Sequence, residues 1–435
     1  MNNVIVAQSG GPSPVINASL LGVIEACQAH PATFGRIYAG WHGIEGILRE
    51  ELLDLSAQPR EEIELLNTTP AAGVIGTCRY KLTPDHTADF NRIIDVMRAH
   101  DVGFFFYIGG NDSMDTAHKV SCLARARNVE LVVAGVPKTI DNDVGDQEFR
   151  LLDHTPGYGS AARYWACITR DAEEENRGTC PSEPVLVLQA MGRTAGFIPA
   201  AARLADPERR MPLQIYTTES GHTLASLTDN VNAQLGRTGR CIVVVSEGFN
   251  VGNLGEKHDG FGHIEYGACE TTVAQVVVNH LNKTGLKARG TATSQVPGIL
   301  QRATSLYAST VDSAEARTVG RHAVDIARTQ GTGWMATILR APEPAYRAVF
   351  DKVPLDKVAN SHRTLPAHWL TKDGLDVTDD FIRYAQPLIG EEWPPMPLEH
   401  GLPRFARFKP LFAEKKLPTY GAPRLRSASV ATRPA

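Results

Sequence analysis

Val129-Glu130-Leu131-Val132-Val133-Ala134-Gly135-Val136-Pro137-Lys138-Thr139-Ile140-Asp141-Asn142-Asp143 joins a short β-rich apolar run to a turn carrying one cation and two carboxylates. The same grammar recurs along the chain. Val4 to Ala7 runs into Gln8-Ser9-Gly10-Gly11, and Gly103 to Ile108 runs into Gly109-Gly110-Asn111-Asp112-Ser113. Val185 to Gln189 runs into Ala190-Met191-Gly192-Arg193, and Cys241 to Val245 into Ser246-Glu247-Gly248. Runs that are apolar throughout suit strands of a parallel sheet buried on both faces. Helix-like stretches at 114–127, 194–205, 223–236 and 269–283, with another starting near Asn17, alternate with them. The expected fold is therefore α/β, with largely parallel sheets. In such sheets ligands bind beyond the carboxyl ends of the strands. Each polar turn above sits at that end, so five turns can converge on one cleft.

Composition narrows the function. The chain has 435 residues, 44 Lys plus Arg against 48 Asp plus Glu, and 43% hydrophobic residues, the balance of a soluble globular protein. A formal charge of −4 gives no global field for DNA or RNA, so no nucleic-acid partner is expected. The longest apolar runs fall far short of the roughly 20 residues a spanning helix needs, and the first residues resemble no signal peptide. No membrane partner is expected. Seven scattered cysteines without a C-x-x-C read as free thiols in a reducing cytoplasm. From residue 385 onward Pro is dense, and residues 401–435 hold eight Lys or Arg and one acid. That composition suggests an extended wrap followed by a mobile, solvated tail.

Two nucleotide motifs fail on context. Gly157-Tyr158-Gly159-Ser160-Ala161-Ala162 fits G-x-G-x-x-A, but Asp153-His154-Thr155-Pro156 before it is not a strand, so NAD is not expected. Gly135 to Thr139 echoes the end of a P-loop but lacks its glycines. What remains reads as phosphate and metal chemistry. Glycines after the first strand let backbone N–H groups approach a phosphate at a helix start. Asn111 and Asp112 offer hard oxygens suited to Mg²⁺. Asp141 and Asp143, two residues apart in an extended turn, point to one side. One carboxylate can then act on a hydroxyl while the other serves a metal or orientation.

In this order, Ser-Gly-Gly, Gly-Gly-Asn-Asp-Ser, Pro-Lys-Thr-Ile-Asp-Asn-Asp, Met-Gly-Arg and Ser-Glu-Gly resemble the phosphofructokinase A family over roughly residues 1–340. The resemblance implies two Rossmann-like lobes with the active site in the cleft between them. It implies transfer of a phosphoryl group to the 1-hydroxyl of fructose 6-phosphate, Mg²⁺ as cofactor, and a homodimer or homotetramer. The division expected is a core over 1–345, with the donor-phosphate side mostly in 1–150 and the sugar-phosphate side mostly in 151–310. A C-terminal extension with a Pro-rich basic tail would follow over 346–435. Position by position, the resemblance makes Asp141 the base that takes the hydroxyl proton, with Thr139 and Asp143 flanking it. Gly10 and Arg79 match donor-phosphate positions. Met191, Gly192 and Arg193 match the sugar-phosphate loop, Glu247 a carboxylate on sugar hydroxyls, and Arg302 a 6-phosphate arginine.

Two positions concern the donor. Members that use ATP carry Gly-Gly-Asp-Gly-Ser and Pro-Gly-Thr-Ile-Asp-Asn-Asp. Asp112 and Lys138 replace those glycines, which resembles the pyrophosphate-dependent branch. A carboxylate at 112 fills space and repels an anion where the α-phosphate of ATP would lie. At ~4 Å and an effective dielectric of about 20, a unit like-charge pair costs about 4 kcal/mol. Lys138 can neutralise the leaving phosphate as its bond breaks. Asp112 and Lys138 thus join Asp141 as expected catalytic residues, and Asn111 and Asp143 are the expected metal ligands. The sequence departs from the family at Asn111, where an Asp is usual, at Pro12, and at Glu183-Pro184, where a cross-subunit arginine is usual. Arg289 matches another such arginine only loosely. An ATP-dependent enzyme, the same chemistry on sedoheptulose 7-phosphate, and a non-catalytic regulatory subunit are the alternatives. For the main reading, the implied reaction is reversible and usable in glycolysis or gluconeogenesis.

Overall fold

The computed structural model describes residues 2–83, 85–259 and 262–421. Strands β1 (Asn2–Gln8), β2 (Phe34–Gly40), β3 (Leu52–Asp54), β4 (Val102–Gly109) and β5 (Val132–Pro137) belong to one sheet. A second sheet holds β6 (Val185–Ala190), β7 (Leu213–Tyr216), β8 (Cys241–Ser246) and β9 (Ala292–Gln295). The chain then returns to the first sheet with β10 (Trp334–Arg340) and β11 (Ala348–Pro354). The first sheet runs β11-β10-β5-β4-β1-β2-β3 and the second β7-β8-β6-β9. Pairing is parallel throughout the second sheet and antiparallel only at the two edges of the first. Three central strands are fully buried, as their largely apolar sequence requires: all eight residues of β4 and all six of β6 and of β8.

Strand order reverses between β1 and β4, because β2 lies on one side of β1 while β4 and β5 lie on the other. The turns after β1, β4 and β5 therefore open at a topological switch point. The turns after the neighbouring strands β6 and β8 of the second sheet carry Met191 and Glu247. The first lobe is closed by helix Thr310–Gln330 lying against helix Ile16–Ala29. That packing needs glycine on both sides: a Cβ at Gly22 would stand 2.0 Å from the Arg317 carbonyl oxygen, and one at Gly320 2.2 Å from that of Ser19.

The helical stretches read from sequence appear as Asn111–Ala126, Leu224–Thr238 and Val273–Thr284, while 197–205 is a short α turn continued as 3₁₀ helix. The G-x-G-x-x-A segment does open a helix, Tyr158–Thr179, but no strand precedes it. No helix among the described residues is long and apolar enough to cross a membrane.

The segment after 345 is woven into both lobes. The boundary expected there falls between β10 and β11, which pair over seven residues. Leu365, Trp369, Val377, Phe381 and Leu388 then fill the core of the second lobe beside Trp165, Phe197 and Ile198. Residues 404–420 cross back as an extended strap. The carbonyl of Leu411 accepts from the Asp54 amide at 2.8 Å, the Ala413 amide donates to Leu52 O at 2.8 Å, and Tyr420 Oη donates to Asp89 Oδ1 at 2.6 Å. The tail expected beyond 421 lies outside the described residues. Phe381 is fully buried, so Phe381→Ala should cost about 3–5 kcal/mol. Urea denaturation measures this, and an unchanged midpoint would remove the segment from the core.

Candidate active site

One cleft of about 330 Å³ lies where the two sheets' polar turns meet. Gly10, Arg79, Asn111, Asp112, Lys138 and Thr139 line it from the first lobe's turns, together with Asp141 and Asp143. Met191, Arg193, Glu247 and Arg302 line it from the second. Of the residues expected from sequence only Gly192 is off the wall, and its amide instead donates to Glu247 Oε1 at 3.2 Å.

The donor-side wall is dense in cations. Lys138 is 3% exposed, and its Nζ donates to the Gly11 carbonyl at 2.6 Å. A Cβ at Gly11 would stand 2.4 Å from Arg302 Nη1 and 3.5 Å from Arg79 Nη2, so the absent side chain leaves room for two guanidiniums. Arg302 was expected at the sugar phosphate, and here it leans over the glycine loop. Burial, then the nearby Arg302 guanidinium, pushes the Lys138 ammonium down to about 7. Burial and Arg79 likewise lower Arg302, whose Nε is buried without a hydrogen-bond partner. Such a cluster favours an anion between its members.

Carboxylates hold these cations in place. Arg79 Nη1 donates to Asp259 Oδ2 at 2.7 Å, and Arg193 Nη2 lies 3.9 Å from the same oxygen. Arg193 Nε stands 4.0 Å from Asp141 Oδ2. Burial opposes the Arg193 charge, but Asp141, Asp143, Asp259 and Glu247 outweigh it and raise its pKa. The Arg193 backbone has φ +51°, which turns its amide toward Glu247 Oε1 at 3.1 Å. Burial and the Asp141 charge push Glu247 up to about 7. At neutral pH it can therefore both donate to and accept from hydroxyls. Thr139 Oγ1 accepts the Asp141 amide at 3.1 Å, which tightens the turn carrying the two aspartates.

Asp112 is not a bare charge. Lys81 Nζ lies 3.0 Å from its Oδ1 and His263 Nε2 3.6 Å from its Oδ2. This pairing tempers the repulsion computed for an isolated carboxylate, while the bulk of the side chain remains in the groove. Burial, then Arg193, lowers the His263 pKa, and the neutral ring accepts from Arg193 Nη1 through Nδ1 at 2.9 Å. Sequence reasoning missed Lys81, Asp259 and His263. Lys81 stands two residues after Arg79 and was within reach of the motif, whereas Asp259 and His263 sit far along the loop that follows β8, well past the polar turn at its end.

The donor set fits a hard divalent cation. Mg²⁺ is usually held by one or two carboxylates together with substrate phosphates. Asp143 is half-buried beside Asp141, and desolvation followed by that like charge raises its pKa, a cost that a cation would relieve. Asn111 Oδ1 accepts the Asp112 amide at 2.9 Å and its amide donates to Ser361 O at 2.7 Å, leaving one lone pair of the carbonyl oxygen.

The Lys138 environment makes a signed prediction. At pH 8 the free protein holds most of Lys138 neutral, and a diphosphate favours the ammonium form. Binding of inorganic pyrophosphate at pH 8 should take up more protons in wild type than in Lys138→Met, by up to about one per site. At pH 6, where Lys138 is already charged, the difference should vanish. Titration calorimetry in two buffers of different ionisation enthalpy measures both, and equal uptake at pH 8 would contradict the assignment.

The phosphofructokinase family model matches residues 3–327. The chain is 38% identical over 429 residues to the pyrophosphate–fructose 6-phosphate 1-phosphotransferase of Halomonas elongata, covering 96% of this chain and 99% of the relative. A sulfofructose kinase of Alkalicoccus urumqiensis is 30% identical over 83% of this chain and 90% of its own length. The crystal structure of a pyrophosphate-dependent phosphofructokinase from Marinobacter aquaeolei superposes with a TM-score of 0.85 at 37% identity, covering 97% of this chain and all of that one. On the match of fold, site and sequence, the chain belongs to the phosphofructokinase family.

Proposed function

We propose that the protein transfers a phosphoryl group from inorganic pyrophosphate to the 1-hydroxyl of D-fructose 6-phosphate, giving fructose 1,6-bisphosphate and phosphate. The observation that carries this reading is the buried Lys138 ammonium at the Gly10–Gly11 loop, in a groove whose next turn presents Asp112. The cation serves a compact diphosphate, and the Asp112 side chain occupies space a nucleotide would need. The names of the relatives from Halomonas and Marinobacter support it.

In this reading Asp141 receives the proton of the attacking hydroxyl, and its strength comes from position. Arg79 and the Gly10 loop hold the donor. Lys138 offsets charge on the departing phosphate, so that charge develops against a partner already in place. Gly192 and Arg193 amides fix Glu247, which with Met191 and Arg193 orients the sugar phosphate. Arg302 joins them at the 6-phosphate. Asp143 and the free lone pair of Asn111 would hold Mg²⁺ together with the donor. When bound, the ion supplies neutralisation of charge on the phosphoryl oxygens. The protein works in the cytoplasm, where seven free cysteines stay reduced, as a homodimer or homotetramer.

A coupled assay with each donor tests the proposal. Pyrophosphate should support turnover, with kcat/KM for ATP at least about 100-fold lower. Turnover with ATP and none with pyrophosphate would reassign the donor. Asp141→Asn should lower kcat by about 10²–10⁴-fold while calorimetric binding of fructose 6-phosphate survives. Retained turnover would take Asp141 out of the base role.

A further inference from the structure

Residues 361–365 lie beyond the residues that the family model matches, yet they touch the turns that build the cleft on both sides. Ser361 O accepts from Asn111 Nδ2 at 2.7 Å, and Ser361 Oγ accepts the Gly145 amide at 3.1 Å. His362 Nε2 is 3.3 Å from Thr194 Oγ1, one residue past Arg193. The Leu365 amide donates to Glu219 Oε1 at 2.8 Å, which also accepts the Gly196 amide at 2.9 Å. The segment thus ties the turn after β4, the turn after β5 and the turn after β6 to one another.

Arg363 is the centre of this brace. It is fully buried. Its amide donates to Asp143 O at 2.8 Å. Nε donates to Asn142 O at 3.0 Å, Nη2 to Asn142 Oδ1 at 2.9 Å and Nη1 to Leu152 O at 2.6 Å, while the guanidinium stacks 4.2 Å from the Phe149 ring centroid. Asn142 separates Asp141 from Asp143 and has φ +58°, a left-handed conformation that Asn tolerates better than most residues with a side chain. Its side chain is held at the other end too, since Asn142 Nδ2 donates to Tyr384 Oη at 2.8 Å. A rotation of Asn142 would swing both neighbouring carboxylates. A buried cation is an expensive way to fill a core when apolar side chains of similar volume pack as well or better. A planar fork that reaches a backbone carbonyl and a side-chain carbonyl of one residue suits the fixing of a turn.

We propose that Arg363 is a positioning residue for phosphoryl transfer, holding Asn142 so that Asp141 and Asp143 keep their orientation in the cleft. The inference rests on the pyrophosphate reading above for its assay. Wild-type turnover with pyrophosphate is measured first, and its absence would sink that reading rather than this one.

The experiment compares Arg363→Met, Arg363→Lys, Ser361→Ala and the core control Phe381→Leu, each assayed well below its own thermal midpoint. Arg363→Met should lower kcat at least tenfold with KM for pyrophosphate and for fructose 6-phosphate within about threefold of wild type. Arg363→Lys should recover part of the loss, and Ser361→Ala should lower kcat by a smaller factor. Phe381→Leu should lose stability and keep its kcat. If Arg363→Met does not fold, Arg363→Lys and Ser361→Ala decide by the same split. Values of kcat within twofold of wild type in the folded variants would overturn the proposal. So would an equal kcat loss in Phe381→Leu, or a loss confined to KM.

Discussion

Charge removed from water must meet opposite charge or hydrogen bonds, and the cleft is organised by that requirement. Lys138, Arg79 and Arg302 crowd around the Gly10–Gly11 loop, and Arg193 stands by Asp141 and Asp259. Asp141, Asp143, Asp259 and Glu247 supply the opposing sign from turns that no single lobe contains. The balance is incomplete on both sides. Lys138 sits low for an ammonium and Glu247 high for a carboxylate, each displaced by burial first. A site in this state gains by taking an anion on one wall and a cation beside Asp143.

The parallel architecture was readable because β1, β4, β5, β6 and β8 each carry an apolar run and end in a polar turn. The edge strands were not, since β3 has three residues and β9 reads Ala-Thr-Ser-Gln, with neither length nor pattern to mark it. Most of the cleft was legible for a related reason: functional side chains at strand ends stand next to their strand in sequence. Asp259 and His263 lie far from the end of β8 along its loop, so nothing local announced them. Arg363 was invisible in a deeper way. Its partners Asn142 and Leu152 are 221 and 211 residues away, and a lone Arg between Ser-His and Thr-Leu carries no pattern.

Donor choice takes a more qualified form in three dimensions. Lys81 and His263 accompany Asp112, so the long-range field at the groove is weaker than that of a lone carboxylate. What persists is the volume of the Asp112 side chain and the Lys138 amine at the glycine loop. In the proposed function, discrimination would rest more on shape and on one short-range cation than on repulsion at a distance.

Strands β10 and β11 complete a sheet that begins with residue 2, and the strap over 404–420 covers its far edge. During synthesis the amino-terminal half therefore lacks two of its seven strands until residue 354 has emerged. The edge of β5 stays unpaired through the making of the entire second lobe. Chains of this design mature late on the ribosome, with the amino-terminal lobe waiting for the carboxyl-terminal third instead of folding ahead of it.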